Sequence, residues 1–318
     1  MVEEKEIAIQ KKDGLLQWIL KVIAIPFSVG SLIYAFFITK RLKNCLPGKV
    51  VLITGASSGL GEALAHTFYV AGCKVVLAAR RQEELERVRK DLLQLHSTHT
   101  TPPPIVLPLD LTDLNSLPEK VKQVLDIFGQ IDILVNNGGI SVRSEAINTK
   151  TDVDIKIMLV NYFGTVALTK AVLPSMIKRN EGRIICIGSV QGKFAIPQRS
   201  AYAASKHALQ AFCDSLRAEM SKNNVKVTLI SPGYINTSLS LNALTGSGTA
   251  YGEMDAATAG GADRFQMSKK ILQAVLSDQK DVIMAPIAPR LAFYIRFIWP
   301  SLYFWIMSER AKKLEKQN

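Results

Sequence analysis

Seven short runs rich in Val and Ile alternate with stretches of helical periodicity, and this alternation narrows what the chain can fold into more than any other feature. The runs lie at 50–54, 74–79, 105–110, 131–136, 183–188, 225–231 and 281–285, with helical patterns at 60–72, 82–96, 116–128, 152–179, 201–222 and 266–277. Strand, crossover helix, strand is the repeating unit of a parallel sheet. The expected fold is therefore α/β, a doubly wound seven-stranded parallel sheet of the Rossmann type over residues 46–286. Right-handed crossovers bring every strand's carboxyl end to one edge, where the site is expected. Residues 238–263, rich in Ala, Gly, Ser and Thr, break the alternation and read as a structureless lid.

The first run passes straight into Thr54-Gly55-Ala56-Ser57-Ser58-Gly59-Leu60-Gly61. Small residues there let the backbone turn tightly and approach a pyrophosphate at a helix amino terminus, although the same turn could serve only to join strand to helix. The spacing is TGxxxGxG, unlike the GxGxxG of other dinucleotide folds. The second run ends in Ala78-Ala79-Arg80-Arg81, with no carboxylate for a ribose 2′-hydroxyl. A guanidinium suits a 2′-phosphate, so NADP(H) is favoured and NAD(H) remains possible; the plain alternative is an exposed arginine pair at a helix start. Tyr202-Ala203-Ala204-Ser205-Lys206 sets a phenol and an ammonium on one helix face, thirteen residues after Ser189 at a strand end. Ser189 can hydrogen-bond a carbonyl, Tyr202 can pass it a proton beside the Lys206 charge, and a nicotinamide can deliver hydride from the opposite side.

Over 46–286 the chain resembles the short-chain dehydrogenase/reductase family. The likeness rests on TGASSGLG at 54–61, Asp110 in LDLTD, NNGG at 136–139, Asn161, Ser189, YAASK at 202–206, and Pro232-Gly233 with Thr237. It implies a catalytic tetrad: Tyr202 as acid and base, Lys206 on the nicotinamide ribose and lowering the phenol pKa, Ser189 orienting the carbonyl, Asn161 positioning a relay water. It also implies that Gly55, Ser57, Ser58, Gly59, Leu60 and Gly61 cradle the cofactor, that Asp110 and Leu111 border its adenine, that Asn137 meets the adenosine ribose, and that Thr237 meets the carboxamide. Gly138 stands where the family usually has Ala. A narrower likeness, to a membrane-bound branch of the family, implies a reductase of the endoplasmic reticulum or peroxisomal membrane. Its suggested substrates are lipid carbonyls such as acyl- or alkyl-dihydroxyacetone phosphate. Arg143, Lys193 and Arg199 lie in segments that border the substrate pocket in this family and could hold the phosphate; they read equally as solvated surface charges. A steroid or retinoid carbonyl reductase, and a non-catalytic NADPH-binding membrane scaffold, stay open as alternatives, and a homodimer is possible.

The formal charge of +12 comes from 39 Lys and Arg against 27 Asp and Glu. Most of the excess flanks the two greasy ends rather than an aromatic-lined groove, which favours a membrane surface over nucleic acid. After a polar tail at 1–14, residues 15–39 contain the uncharged run 22–39, long enough for a single-pass anchor. At the other end, 287–318 is aromatic and apolar but interrupted by Arg290, Arg296 and Pro300. It reads as an interfacial helix pair with Trp299, Tyr303 and Trp305 at the headgroup boundary, or as an oligomer contact. Cys45, Cys73, Cys186 and Cys213 lack zinc spacing, as do His66, His96 and His99, so no metal is expected.

Overall fold

The computed structural model describes residues 45–95 and 101–315. The expected anchor at 15–39 and its basic flank, together with His96 and His99, lie outside the described residues. Seven strands, β1 (Val50–Thr54), β2 (Lys74–Ala79), β3 (Ile105–Pro108), β4 (Ile133–Asn136), β5 (Gly182–Ile187), β6 (Val225–Pro232) and β7 (Asp281–Met284), form one sheet in the order β3-β2-β1-β4-β5-β6-β7. Every pairing is parallel. Chain order reverses between β1 and β4, and the crevice above that switch point is where an open α/β sheet binds its ligand.

Both faces of the sheet are buried, which is why its strands read as nearly continuous apolar runs. Leu52, Leu134, Ile184 and Leu229 pack on one side with α3 (Leu117–Phe128), α5 (Thr165–Arg179) and α6 (Ser200–Glu219). Their neighbours Ile53, Val135, Ile185 and Ile230 pack on the other with α1 (Gly59–Val70), α2 (Gln82–Leu95) and α8 (Arg264–Leu276). Before α5 comes α4 (Thr151–Met158), joined to it by a π-helical stretch, Leu159–Gly164. The whole helical run 151–179 is apolar enough to cross a membrane by composition, but half of its apolar window is buried in the domain, so it is a core helix.

Three expectations need correction. Two strands, β3 and β4, are each two residues shorter than their sequence pattern. Asp132 precedes β4 because its buried carboxylate accepts the Val50 amide at 2.8 Å, and Asp110 leaves β3 to accept the amide and hydroxyl of Thr112, each at 2.9 Å. The segment 238–263 is not structureless. It carries bridges Val142–Leu244, Ile235–Ala262 and Leu244–Ala250 and a short helix, α7 (Ala256–Ala259). At the carboxyl end, α9 (Ile287–Ile298) and α10 (Pro300–Glu315) form the expected helix pair, yet Tyr303 is not at a headgroup boundary. It is 4% exposed, packs edge-on against Phe194, and donates its hydroxyl hydrogen bond to Ala195 O.

Candidate active site

The turn after β1 owes its shape to glycine. Gly55 has φ +67°, and a Cβ on Gly61 would lie 2.1 Å from Gly55 O and 2.6 Å from Asn137 Nδ2, so only a bare backbone closes the turn. Asn137 locks it from the end of β4, its side-chain amide donating to Thr54 O at 3.0 Å. Thr54 Oγ1 accepts the amides of Asn137 and Gly138 at 3.0 and 2.9 Å. Asn137 thus acts first as a brace for the glycine turn. At Gly138, a Cβ would approach Leu111 Cδ1 to 2.8 Å, so the absent methyl makes room for Leu111.

The turn opens into a cavity of about 500 Å³ at the carboxyl edge of the sheet. Gly55, Ser57, Ser58, Gly59, Leu60, Arg80, Arg81, Asp110, Leu111, Asn137 and Thr237 line one part of it. Gly61 is buried just behind. Arg81 reaches Ser57 Oγ at 3.2 Å and Ser58 Oγ at 3.4 Å, gathering a guanidinium and two hydroxyls beside the end of β2. Ser58 precedes α1 without capping it through its side chain, which leaves the hydroxyl for this cluster. Bare backbone at a helix start beside a cationic hydroxyl cluster fits a dinucleotide.

Ser189, Tyr202 and Lys206 come together deeper in the same cavity, each under 9% exposed. Ser189 follows β5 and accepts the Gln191 amide at 3.1 Å, and its hydroxyl is close enough to Tyr202 to act on it electrostatically. Burial pushes the Tyr202 phenol above its ordinary value, opposed by the Ser189 hydroxyl and by the charges of Arg143 and Arg199. Lys206 donates to Ile187 O at 2.9 Å, sits 5.7 Å from the centre of the Tyr202 ring, and is pushed down to about 8 by burial. Asn161 lies in the π-helical stretch and is 1% exposed. Its Oδ1 accepts the Ile140 amide at 2.8 Å, and its Nδ2 donates to Ile140 O at 2.9 Å and Ser205 Oγ at 3.0 Å. Those contacts use both amide hydrogens and one of the two acceptor positions of Oδ1.

The three cations expected at a substrate phosphate separate into two groups. Lys193 does not line the cavity: its ammonium pairs with Asp281 at the start of β7. Arg143 lines the cavity and, with Arg199, pairs with Asp255. Neither reading from sequence, a free phosphate clamp or solvated surface charge, matches three buried or half-buried ion pairs. Asp255 escaped notice because it sits in a polar, pattern-free segment and meets its partners across 112 and 56 residues of chain. Gln191, whose buried Oε1 has no hydrogen-bond partner among the described residues, also lines the cavity and carries no spacing signal. Among the described residues no His, Cys, Asp and Glu side chains gather in threes as a metal would need.

Comparison with known proteins agrees with this geometry. The family model described as short chain dehydrogenase matches residues 49–246. A dehydrogenase/reductase SDR family protein 7-like of Anopheles gambiae is 65% identical over 98% of this chain and 99% of its own. Dehydrogenase/reductase SDR family member 7B of Rattus norvegicus is 44% identical over 96% of each. Among solved structures, a metagenomic short-chain oxidoreductase in complex with NADP superimposes with TM-score 0.61 at 26% identity, covering 76% of this chain and 98% of that one. A short chain dehydrogenase/reductase from Burkholderia phymatum in complex with NAD shares the fold, with TM-score 0.70 at 21% identity over 79% and 93%. The matched region holds the glycine turn, Ser189, Tyr202 and Lys206, and on that match the chain belongs to the short-chain dehydrogenase family of oxidoreductases.

Proposed function

We propose that this oxidoreductase uses NADP(H) to reduce a lipid-like ketone at a membrane surface. The observation that carries the reading is the double use of the carboxyl-terminal helix pair. Pro289 of α9 and Arg310 of α10 line the cavity, while Leu291, Tyr294, Phe297, Ile298 and Trp305 on the same helices, and Trp299 between them, are more than half exposed. Exposed aromatic and aliphatic surface, interleaved with Arg290, Arg296, Arg310, Lys312 and Lys313, suits an anionic leaflet. Arg81 with Ser57 and Ser58 supports a 2′-phosphate, and the NADP-bound relative supports the same choice; NADH remains a weaker alternative. The expected anchor at 15–39 supports residence in the endoplasmic reticulum or peroxisomal membrane. Arg143 beside the reacting end supports a head group such as that of acyl- or alkyl-dihydroxyacetone phosphate.

A bound nicotinamide would supply the hydride. Ser189 Oγ holds the carbonyl oxygen, and the Tyr202 hydroxyl, which lines the same cavity, passes its proton to that oxygen. The cationic surroundings of Tyr202 stabilise the phenolate left behind. The test is NADPH oxidation by the full chain in vesicles, against matched long-chain and short water-soluble ketones, beside a Tyr202→Phe control. A preference for long-chain ketones is expected. Preference for short soluble carbonyls overturns the lipid reading, and binding of NADPH without turnover of any carbonyl favours a scaffold.

A further inference from the structure

Two buried cations share one carboxylate beside Tyr202. The Arg143 side chain, 7% exposed, places Nε 2.6 Å from Asp255 Oδ2, and Arg199, 10% exposed, reaches the same oxygen from 3.4 Å. Their other contacts are neutral: Ser141 Oγ at 2.7 Å and Val142 O at 3.1 Å for Arg143, Gln198 O at 3.1 Å for Arg199. Arg199 Nε is buried with no hydrogen-bond partner among the described residues. Buried charge is tolerated when opposite charge or a full set of hydrogen bonds matches it. Here two positive groups face one negative, with the hydroxyls of Tyr234 and Tyr251 in electrostatic reach. Burial, reinforced by the charge of Arg143, lowers the Arg199 pKa to about 10. The mismatch is one elementary charge, and of the three groups Arg143 reaches the wall of the cavity that holds Ser189 and Tyr202.

We infer that Arg143 and Arg199 form a subsite for a dianionic phosphomonoester on the substrate, and that Asp255 is a built-in competitor which this head group displaces. This rests on the proposed reduction of a carbonyl at Tyr202. A dianion balances both guanidiniums, whereas the single carboxylate of Asp255 balances one. Asp255 lies at the start of α7 on the 238–263 segment, its side chain 17% exposed, so a turn outward brings it to water. A monoanion would exchange like for like, and a neutral ketone would leave the Asp255 pairs intact. Asp255 thereby sets a threshold of charge, discriminating against weaker anions as well as against neutral lipids.

The test measures binding without turnover, so that it stands apart from the proposed reaction. NADPH-saturated full-chain protein in neutral detergent is titrated at pH 8, where a phosphomonoester is dianionic, with octyl phosphate, octyl sulfate and octanol. In the wild type octyl phosphate is expected to bind at least tenfold more tightly than the other two. Asp255→Asn should lower the Kd for octyl phosphate and octyl sulfate by about tenfold, and Arg143→Gln should raise the octyl phosphate Kd by at least as much. Octanol binding as tightly as octyl phosphate, or Asp255→Asn weakening both anions, overturns the proposal. Should Asp255→Asn fail to fold, the Arg143→Gln arm decides, and an unchanged octyl phosphate Kd overturns it. Tight octyl phosphate binding by a protein that reduces no lipid ketone would reject the proposed function and keep the subsite.

Discussion

The proposed proton transfer turns on Tyr202. Tyr202→Phe is expected to keep NADPH binding and lose about a hundredfold or more in turnover, the scale of a deleted general acid, checked by fluorescence titration beside steady-state rates. Lys206 carries a second, thermodynamic signature. In the folded chain it loses its proton near pH 8, against 10.5 for an ordinary lysine, because its ammonium is buried. Between those values the unfolded chain holds more protons than the folded one, so this position's contribution to stability rises with pH across that window. Below pH 8 the buried charge costs about 3 kcal/mol. Lys206→Met should therefore raise the cofactor-free melting temperature at pH 7, and the gain should shrink towards pH 10.5; a gain that ignores pH would mean that burial of charge is not its source. Arg81→Ala should weaken NADPH about tenfold or more and leave NADH nearly unchanged, measured by paired titrations. Residues such as Tyr202, Lys206 and the glycines were legible because each chemistry demands close spacing along the chain. Asp255 and Gln191 were not, since a contact made across a hundred residues leaves no local periodicity.

Secondary-structure elements were the most legible level, and their ends the least. Continuous apolar runs located all seven strands because burial on both faces demands them, but hydrogen bonds unrelated to hydrophobicity lie where β3 stops and β4 starts. The helix pair α9–α10 shows the limit of composition. Tyr303 and Trp305 look alike as interfacial aromatics, yet one is buried against Phe194 and the other is 62% exposed. Tyr303→Phe removes only the bond to Ala195 O and should cost about 1 kcal/mol. Because that bond fixes the helix pair to the segment after Ser189, the same change should raise KM for long-chain ketones more than it lowers kcat. Equal KM for short and long ketones in this variant would show that the pair does not shape the substrate end of the cavity. Gly138→Ala tests a smaller fit: its methyl meets the flexible end of Leu111, so a modest loss of cofactor affinity is expected rather than loss of fold.

For the whole molecule, two membrane attachments of unequal strength are expected. Deleting residues 1–44 should release the protein from carbonate-resistant membranes but leave salt-sensitive affinity for anionic vesicles through α9 and α10, read by flotation at low and high salt. Truncated protein that ignores vesicles, and whose assembly state falls when 287–318 is also removed, would instead make the helix pair a subunit contact. Should the leaflet grip α9 and α10, it also grips a wall of the cavity, since Pro289 and Arg310 stand there. Equilibrium coupling of this kind has no preferred direction. If lipid contact tightens ketone binding by some factor, a bound ketone must tighten the hold on lipid by the same factor. A dilute pool of the truncated enzyme would then be recruited to whichever bilayer is richest in its own substrate, and the cell would need no separate address to put it there.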